Sequence, residues 1–257
     1  MRPNPVRAKL RAGETVYGTM AFEFFTPGLT AILACAGAEF VILDTEHSGI
    51  GIETVKAQLA AARGSGIVPI VRAPASHYHL VAPLLDAGAM GIMVPMVESA
   101  DQAARIAAWC RYRPEGVRGL AFGVAHDDYA AGDVTEKMAA ANARTLVIAL
   151  VETRGGIAEV DAIAAVEGID VVWLGHYDLT NSLGITGQFD HPDFLAAVER
   201  LAGACRRHGK AAGILVTDPA TAGLWRKRGF RCLGYGTDIA LLQRALAEGI
   251  KVLRASG

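Results

Sequence analysis

Phe40-Val41-Ile42-Leu43-Asp44-Thr45-Glu46-His47 opens on four apolar residues and closes on four polar ones. A short, continuous apolar run with an abrupt polar end reads as a strand buried on both faces, the mark of a parallel sheet. The pattern recurs along the chain. Val68 to Arg72 ends on a guanidinium, Leu146 to Val151 runs into Glu152, and Val171 to Leu174 runs into Gly175-His176-Tyr177-Asp178. Further runs at Val16 to Phe22, Gly91 to Pro95, Ala211 to Val216 and Arg231 to Tyr235 bring the predicted strands to eight. Ala- and Leu-rich stretches around 27–36, 52–63, 78–87, 99–110, 155–165, 192–208, 218–227 and 238–253 predict helices between them. Eight strand-helix repeats in 257 residues predict an α/β protein, a closed (β/α)8 TIM barrel forming a single domain over 1–257.

Local chemistry supports several boundaries. Asp218-Pro219 and Thr26-Pro27 each place a capping side chain before a proline in the first helical turn, while Gly64, Gly209 and Gly229 stand where helices should end. One long irregular segment is expected from Arg111 to about Thr135, carrying His126-Asp127-Asp128-Tyr129. Its length predicts a lid or binding element over the mouth.

Composition narrows the partners. With 25 Lys+Arg against 26 Asp+Glu the net charge is −1, which removes the electrostatic case for nucleic acid or an anionic membrane. The N-terminal stretch is basic and polar with no apolar run behind it, so neither a signal peptide nor a membrane anchor is expected. Cys35, Cys110, Cys205 and Cys232 are far apart and are expected to be small buried hydrophobes in a reducing cytoplasm.

In such a barrel, chemistry gathers where the strands end, because the loops there surround one mouth. Glu152 and Asp178 follow strands five and six, so their carboxylates should converge. Two hard oxygen ligands without His or Cys beside them suit Mg²⁺, Mn²⁺ or Co²⁺, although each could instead cap the helix that follows. Arg72 needs an anion, either in a structural ion pair or as a clamp on an enolate or carboxylate. His47 lies three residues after Asp44, a spacing that lets the carboxylate orient the imidazole as a general base. Asp86 is a carboxylate near a helix C-terminus, an unfavourable place that argues for a specific partner. Gly234-Tyr235-Gly236 could form a phosphate nest, with no basic residue to complete it.

Taken in order, Leu43-Asp44-Thr45-Glu46-His47, Val71-Arg72-Ala73, Leu85-Asp86-Ala87-Gly88-Ala89-Met90-Gly91-Ile92-Met93-Val94-Pro95, Val151-Glu152-Thr153 and Gly175-His176-Tyr177-Asp178-Leu179-Thr180 resemble the HpcH/HpaI aldolase family. The resemblance runs from about Val16 to about Leu253. It implies a class II, divalent-metal-dependent aldehyde-lyase. Such an enzyme cleaves or forms 4-hydroxy-2-oxo acids through a pyruvate or hydroxypyruvate enolate and an aldehyde. By position it makes Glu152 and Asp178 the metal carboxylates, His47 the general base and Asp44 its partner. Arg72 becomes the enolate-stabilising residue, and Asp86 the acid that raises the pKa of the base. The Tyr177 backbone and the residue at 150 would face the substrate. The resemblance also implies a homohexamer, a trimer of dimers, with the C-terminal helix exchanged between subunits.

Departures cluster at the site. Leu150 stands where the family commonly has Gln, and Gly175-His176-Tyr177-Asp178 replaces a Gly-Pro-x-Asp run. Lysines 56, 137, 210, 227 and 251 fall on helices or before strands, which argues against Schiff-base chemistry. Two rivals follow from the same residues. One is a citryl- or malyl-CoA-type lyase on this barrel, the other a non-catalytic 2-oxo-acid-binding oligomer.

Overall fold

The computed structural model describes residues 1–256. Eight parallel strands close into a barrel in chain order, β8 returning to pair with β1. They are β1 (Val16–Ala21), β2 (Phe40–Asp44), β3 (Val68–Arg72), β4 (Gly91–Val94), β5 (Leu146–Val151), β6 (Val171–Leu174), β7 (Ala211–Val216) and β8 (Phe230–Thr237). Around them lie α1 (Pro5–Arg11), α2 (Leu29–Cys35), α3 (Ile52–Ala61), α4 (Tyr78–Asp86), α5 (Ala100–Trp109) and α6 (Val134–Arg144). The second half adds α7 (Arg154–Ala158), α8 (Val160–Ala165), α9 (His176–Ser182), α10 (Pro192–Arg207), α11 (Ala222–Lys227) and α12 (Asp238–Ala255). No helix among the described residues is long and apolar enough to cross a membrane.

Strand alternation sorts the core into two layers. Met20, Ile42, Ile70, Met93, Leu150 and Trp173 fill the barrel interior, while Leu43, Val71, Val94, Val151 and Leu174 pack outward against the helices. Trp173 fits because its neighbours on β7 and β8 are glycines. A Cβ on Gly213 would stand 2.4 Å from its Cε3, and one on Gly234 3.3 Å from its Cη2. Register sets Asp44 opposite Arg72 at the ends of β2 and β3.

Three helices are additional to the sequence reading. Asn4 caps α1 by accepting from the Arg7 N–H at 3.0 Å, and Pro5 follows in the first turn. Asp133 caps α6 through the Glu136 N–H at 3.0 Å. The third, α9, starts as soon as β6 ends. Asp218 does cap the turn after Pro219, with the Ala220 N–H at 3.0 Å. Thr26 does not cap α2, whose N-cap is Gly28 without a side-chain bond. Gly209 and Gly229 take the left-handed conformation as expected, but after α3 that role falls to Gly66 (φ 78) rather than Gly64, because a 3-10 turn extends the helix.

Two placements, those of Cys35 and of the 111–133 segment, correct the sequence reading. Cys35 is exposed at the end of α2, on a short helix that buries only Leu29 and Thr30; the other three cysteines are buried. The 111–133 segment connects α5 to α6, so it lies at the N-terminal end of the barrel and forms no lid on its own mouth. Its Ala125 carbonyl accepts from Arg63 Nη2 at 2.7 Å, and His126 and Asp127 are buried. The last helix, α12, buries only Asp238, and leaves Leu242, Leu246, Val252 and Leu253 more than half exposed. Only its first two turns touch their own barrel, through Asp238 and through Arg244, which donates to the Thr217 carbonyl at 3.1 Å.

Candidate active site

The C-terminal ends of the strands surround a cavity of about 180 Å³. Its walls are apolar, from Met20, Phe22, Met93, Leu150, Trp173 and Leu215, and its polar groups come from His47, Arg72, Glu152, His176 and Asp178. Tyr177 lines it too, with its ring largely exposed at the rim.

Arg72 organises the β2-β3 side. Its Nε donates to Asp44 Oδ1 at 2.5 Å and its Nη1 lies 3.1 Å from Glu46 Oε2. The third nitrogen, Nη2, is sealed from solvent with no acceptor in the chain. A buried guanidinium with one open donor, in the wall of a small cavity, is a ready site for an anionic oxygen. The Phe22 ring lies 5.4 Å from the guanidinium carbon and covers its face.

Asp44 is spent on structure. Besides Arg72, it accepts from the backbone N–H groups of Glu46 at 3.2 Å and His47 at 2.8 Å, which shapes the turn after β2. The expected contact between Asp44 and the His47 imidazole is therefore absent. The ring faces Glu46 instead, with Nε2 3.6 Å from Oε2, and the side chain is 60% exposed at the mouth. Sequence spacing suggested Asp44 because it cannot distinguish the main-chain N–H of residue 47 from its ring. Burial raises the Glu46 pKa, against the pull of Arg72 and His47.

Opposite Arg72, Glu152 is buried and accepts the Met96 N–H at 2.8 Å. Its pKa is raised to about 7, chiefly by burial, with Asp178 and Glu46 adding repulsion and the Met96 N–H opposing. The carboxylate occupies the space where residue 175 would carry a side chain: a Cβ on Gly175 would lie 2.5 Å from Glu152 Oε2. That glycine is what lets β5 and β6 bring Glu152 close to the start of α9, where Asp178 sits in the first turn. Among the described residues, no three metal-ligating side chains converge. A cation here would take two carboxylates from the protein and its other ligands from water and substrate. The buried, charge-penalised Glu152 and its hard-oxygen neighbour fit such a cation.

Asp86 is not at this mouth. It ends α4 at the other end of the barrel wall, where Arg118 Nη2 donates to it at 2.6 Å. No lysine lines the cavity, in keeping with the sequence argument against a Schiff base.

Over residues 22–245 the sequence matches the profile of the HpcH/HpaI aldolase/citrate lyase family. The chain belongs to this family. It is 36% identical over 245 residues to the hydroxypyruvate/pyruvate aldolase of Roseovarius nubinhibens, covering 95% of each chain. It is 33% identical over 252 residues to the 5-keto-4-deoxy-D-glucarate aldolase of Klebsiella pneumoniae, covering 97% of each. An HpcH/HpaI aldolase structure from Desulfitobacterium hafniense superimposes with a TM-score of 0.92 at 32% identity, covering 97% of this chain and 96% of that one. The protein is thus an aldolase-type carbon-carbon lyase of the HpcH/HpaI family on a TIM barrel.

Three further groups at the site are not signalled by the predicted strand ends. Glu46, two residues past the end of β2, contacts both Arg72 and His47. His176 is held neutral by burial, which drives its pKa to about 4, and its ring lies against Tyr177 at 4.7 Å and Phe189 at 5.4 Å. Asp238 accepts the N–H groups of Phe22, Glu23 and Phe24 at 3.0, 2.9 and 2.7 Å, fixing the turn that places Phe22 over Arg72. A carboxylate at the first position after β8 was the available signal.

Proposed function

We propose that the protein is a divalent-metal-dependent aldolase that cleaves or forms 4-hydroxy-2-oxo acids, releasing or using pyruvate or hydroxypyruvate and an aldehyde. The observation that carries this reading is the unpaired Arg72 Nη2 in the same small cavity as Glu152 and Asp178. Glu152 and Asp178 would hold Mg²⁺, Mn²⁺ or Co²⁺, and such a cation supplies Lewis-acid polarisation of a 2-oxo group. Arg72, held by Asp44 and Glu46, offers its free N–H to the oxygen that gains negative charge as the C3–C4 bond breaks and the enolate forms. His47 takes the proton of the 4-hydroxyl, whose oxygen becomes the aldehyde carbonyl, and returns a proton in the synthetic direction. Its exposed place at the mouth suits a group that meets the substrate from the aldehyde side. Leu150, Met93 and Trp173 exclude water from the enolate end, and the Tyr177 backbone, in the first turn of α9, faces the substrate carboxylate.

A chamber of about 180 Å³ suits a small oxo acid and lacks lysines or further arginines for nucleotide phosphates, which favours this reading over a CoA-ester lyase. We assign the whole activity to the one barrel. We place the protein in the cytoplasm as a homo-oligomer, a hexamer built as a trimer of dimers with α12 exchanged. The uncovered apolar length of α12 supports exchange, and free thiols at all four cysteines fit a reducing compartment. In that assembly Asp86 would serve the base of a neighbouring subunit, since α4 carries it away from His47 of its own. The test is to incubate the protein with pyruvate or hydroxypyruvate, a panel of aldehydes and each metal, and score adducts. Binding of the oxo acid without any adduct, or with adduct formation undiminished by chelator, would overturn it.

A further inference from the structure

At the end of the barrel opposite the mouth, α1 and the C-terminal end of α6 enclose a second cavity of about 430 Å³. Its position follows from Asn4, whose Nδ2 donates at 3.0 Å to the carbonyls of Met90 and Arg144, just ahead of β4 and β5. The charged side chains lining it are Arg2, Arg7, Arg11 and Arg144, with no carboxylate among the lining residues.

Two of these arginines share a single carboxylate, which Arg111 also contacts, and the other two hold none at hydrogen-bonding distance. Arg7 Nε pairs with Asp170 at 2.9 Å, and Arg11 lies 3.8 Å from the same carboxylate. Arg2 donates through Nη1 to the carbonyls of Ala62 and Arg63, yet its Nε is buried with no acceptor and the nearest carboxylate, Asp128, is 3.9 Å away and shared with Arg63. Arg144 is in the starker position. It is 5% exposed, its Nε is sealed from solvent with no acceptor, and no carboxylate among the described residues pairs with it. A guanidinium does not shed its proton at physiological pH, so a buried one needs counter-charge from somewhere. Burial and the nearby Arg2 and Arg118 draw its pKa down to about 10, with Asp128 and Tyr112 opposing.

We propose that this cavity binds a phosphoryl group, free or carried on a small metabolite, with Arg144 and Arg2 as its ligands. Two guanidinium groups with unmet donors suit a tetrahedral dianion, which presents acceptors in several directions, better than the single charge of a carboxylate. The small apolar neighbours Pro3, Ala8, Ala140 and Ala143 leave room for more than one phosphate. The site lies at the end of the barrel opposite this chain's own mouth, so its expected effect is on stability: a bound phosphoryl group ties α1 to the entry of β5. The proposal is independent of the catalytic reading above.

The test is thermal unfolding of the purified, full-length protein in chelator, comparing sodium phosphate with sodium chloride at matched ionic strength. A ligand present at about ten times its dissociation constant should raise the midpoint by about 3 °C in phosphate over chloride. Arg144→Met should abolish that rise, and Arg144→Lys should keep part of it. A larger rise with glycerol 3-phosphate than with inorganic phosphate identifies an esterified ligand; an equal rise identifies the free ion. Should Arg144→Met fail to fold, Arg2→Gln gives the same reading from a more exposed partner. No rise in the wild type, or an equal rise in the variants, overturns the proposal.

Discussion

Replacing Glu152 by Gln should stabilise the metal-free protein while removing its response to metal. Glu152 is 4% exposed, and burial holds its pKa at about 7 against an ordinary 4.5. The fold thus favours the protonated acid. Stability from this group is greatest below pH 4.5 and is lost as pH rises toward 7, above which the ionised carboxylate carries the full penalty. A displacement of that size corresponds to about 3 kcal/mol at most, and structural relaxation brings the expected cost to about 1–3 kcal/mol at pH 8. Gln keeps the shape and can still accept the Met96 N–H, without the charge. In a protein of this length the gain is a rise in unfolding midpoint of about 3–8 °C. The assay is thermal denaturation of both proteins in chelator from pH 5 to pH 8, then with Mn²⁺ added. The gap between variant and wild type should open with pH, and Mn²⁺ should raise the wild type alone. Equal midpoints at pH 8, or a gap that does not grow with pH, would show that Glu152 carries no such penalty and that its burial is not a poised metal site.

His47→Ala should lower turnover by about 10²–10⁴-fold while leaving the metal-dependent rise in midpoint intact, read by steady-state aldol cleavage beside thermal shift. Arg72→Lys should reduce turnover by a similar order, because an ammonium cannot serve Asp44, Glu46 and the substrate at once; an unchanged kcat/KM would exclude Arg72 from enolate stabilisation. Gly175→Ala should abolish the metal response without touching a ligand, since the new Cβ would sit where Glu152 Oε2 lies; metal titration by calorimetry checks it. Light scattering at micromolar concentration should show an oligomer, and Leu246→Glu with Leu253→Glu on α12 should break it into smaller species. A monomeric wild type would defeat the exchanged-helix assembly.

The barrel was legible because strand burial writes itself into sequence as unbroken apolar runs, and all eight were where the runs stood. The site was legible only as far as strand ends reach. Glu152 and Arg72 were found because each stops an apolar run, and Asp178 because it follows one. Orientation was not legible. Asp44 and Glu46 are both within three residues of His47, and spacing pointed to the wrong one; which carboxylate meets the imidazole depends on a turn whose N–H groups claim Asp44 first. The same limit explains the 111–133 segment. Length marked it as unusual, but its end of the barrel follows from its standing between the helix that descends from β4 and the helix that leads into β5, which places it away from the mouth whatever its composition. His126 and Asp127 look like binding residues in the sequence because they are polar in a loop. In the fold, they are buried under the barrel floor, where His126 Nε2 bonds to the Ala121 carbonyl and Asp127 Oδ2 accepts from Gly123 and Lys137, while His126 Nδ1 and Asp127 Oδ1 are left without partners. Polarity in a loop therefore points to catalysis only once the topology has put that loop at the strands' C-terminal ends, and Glu46, two residues past the end of β2, is the residue that this rule recovers.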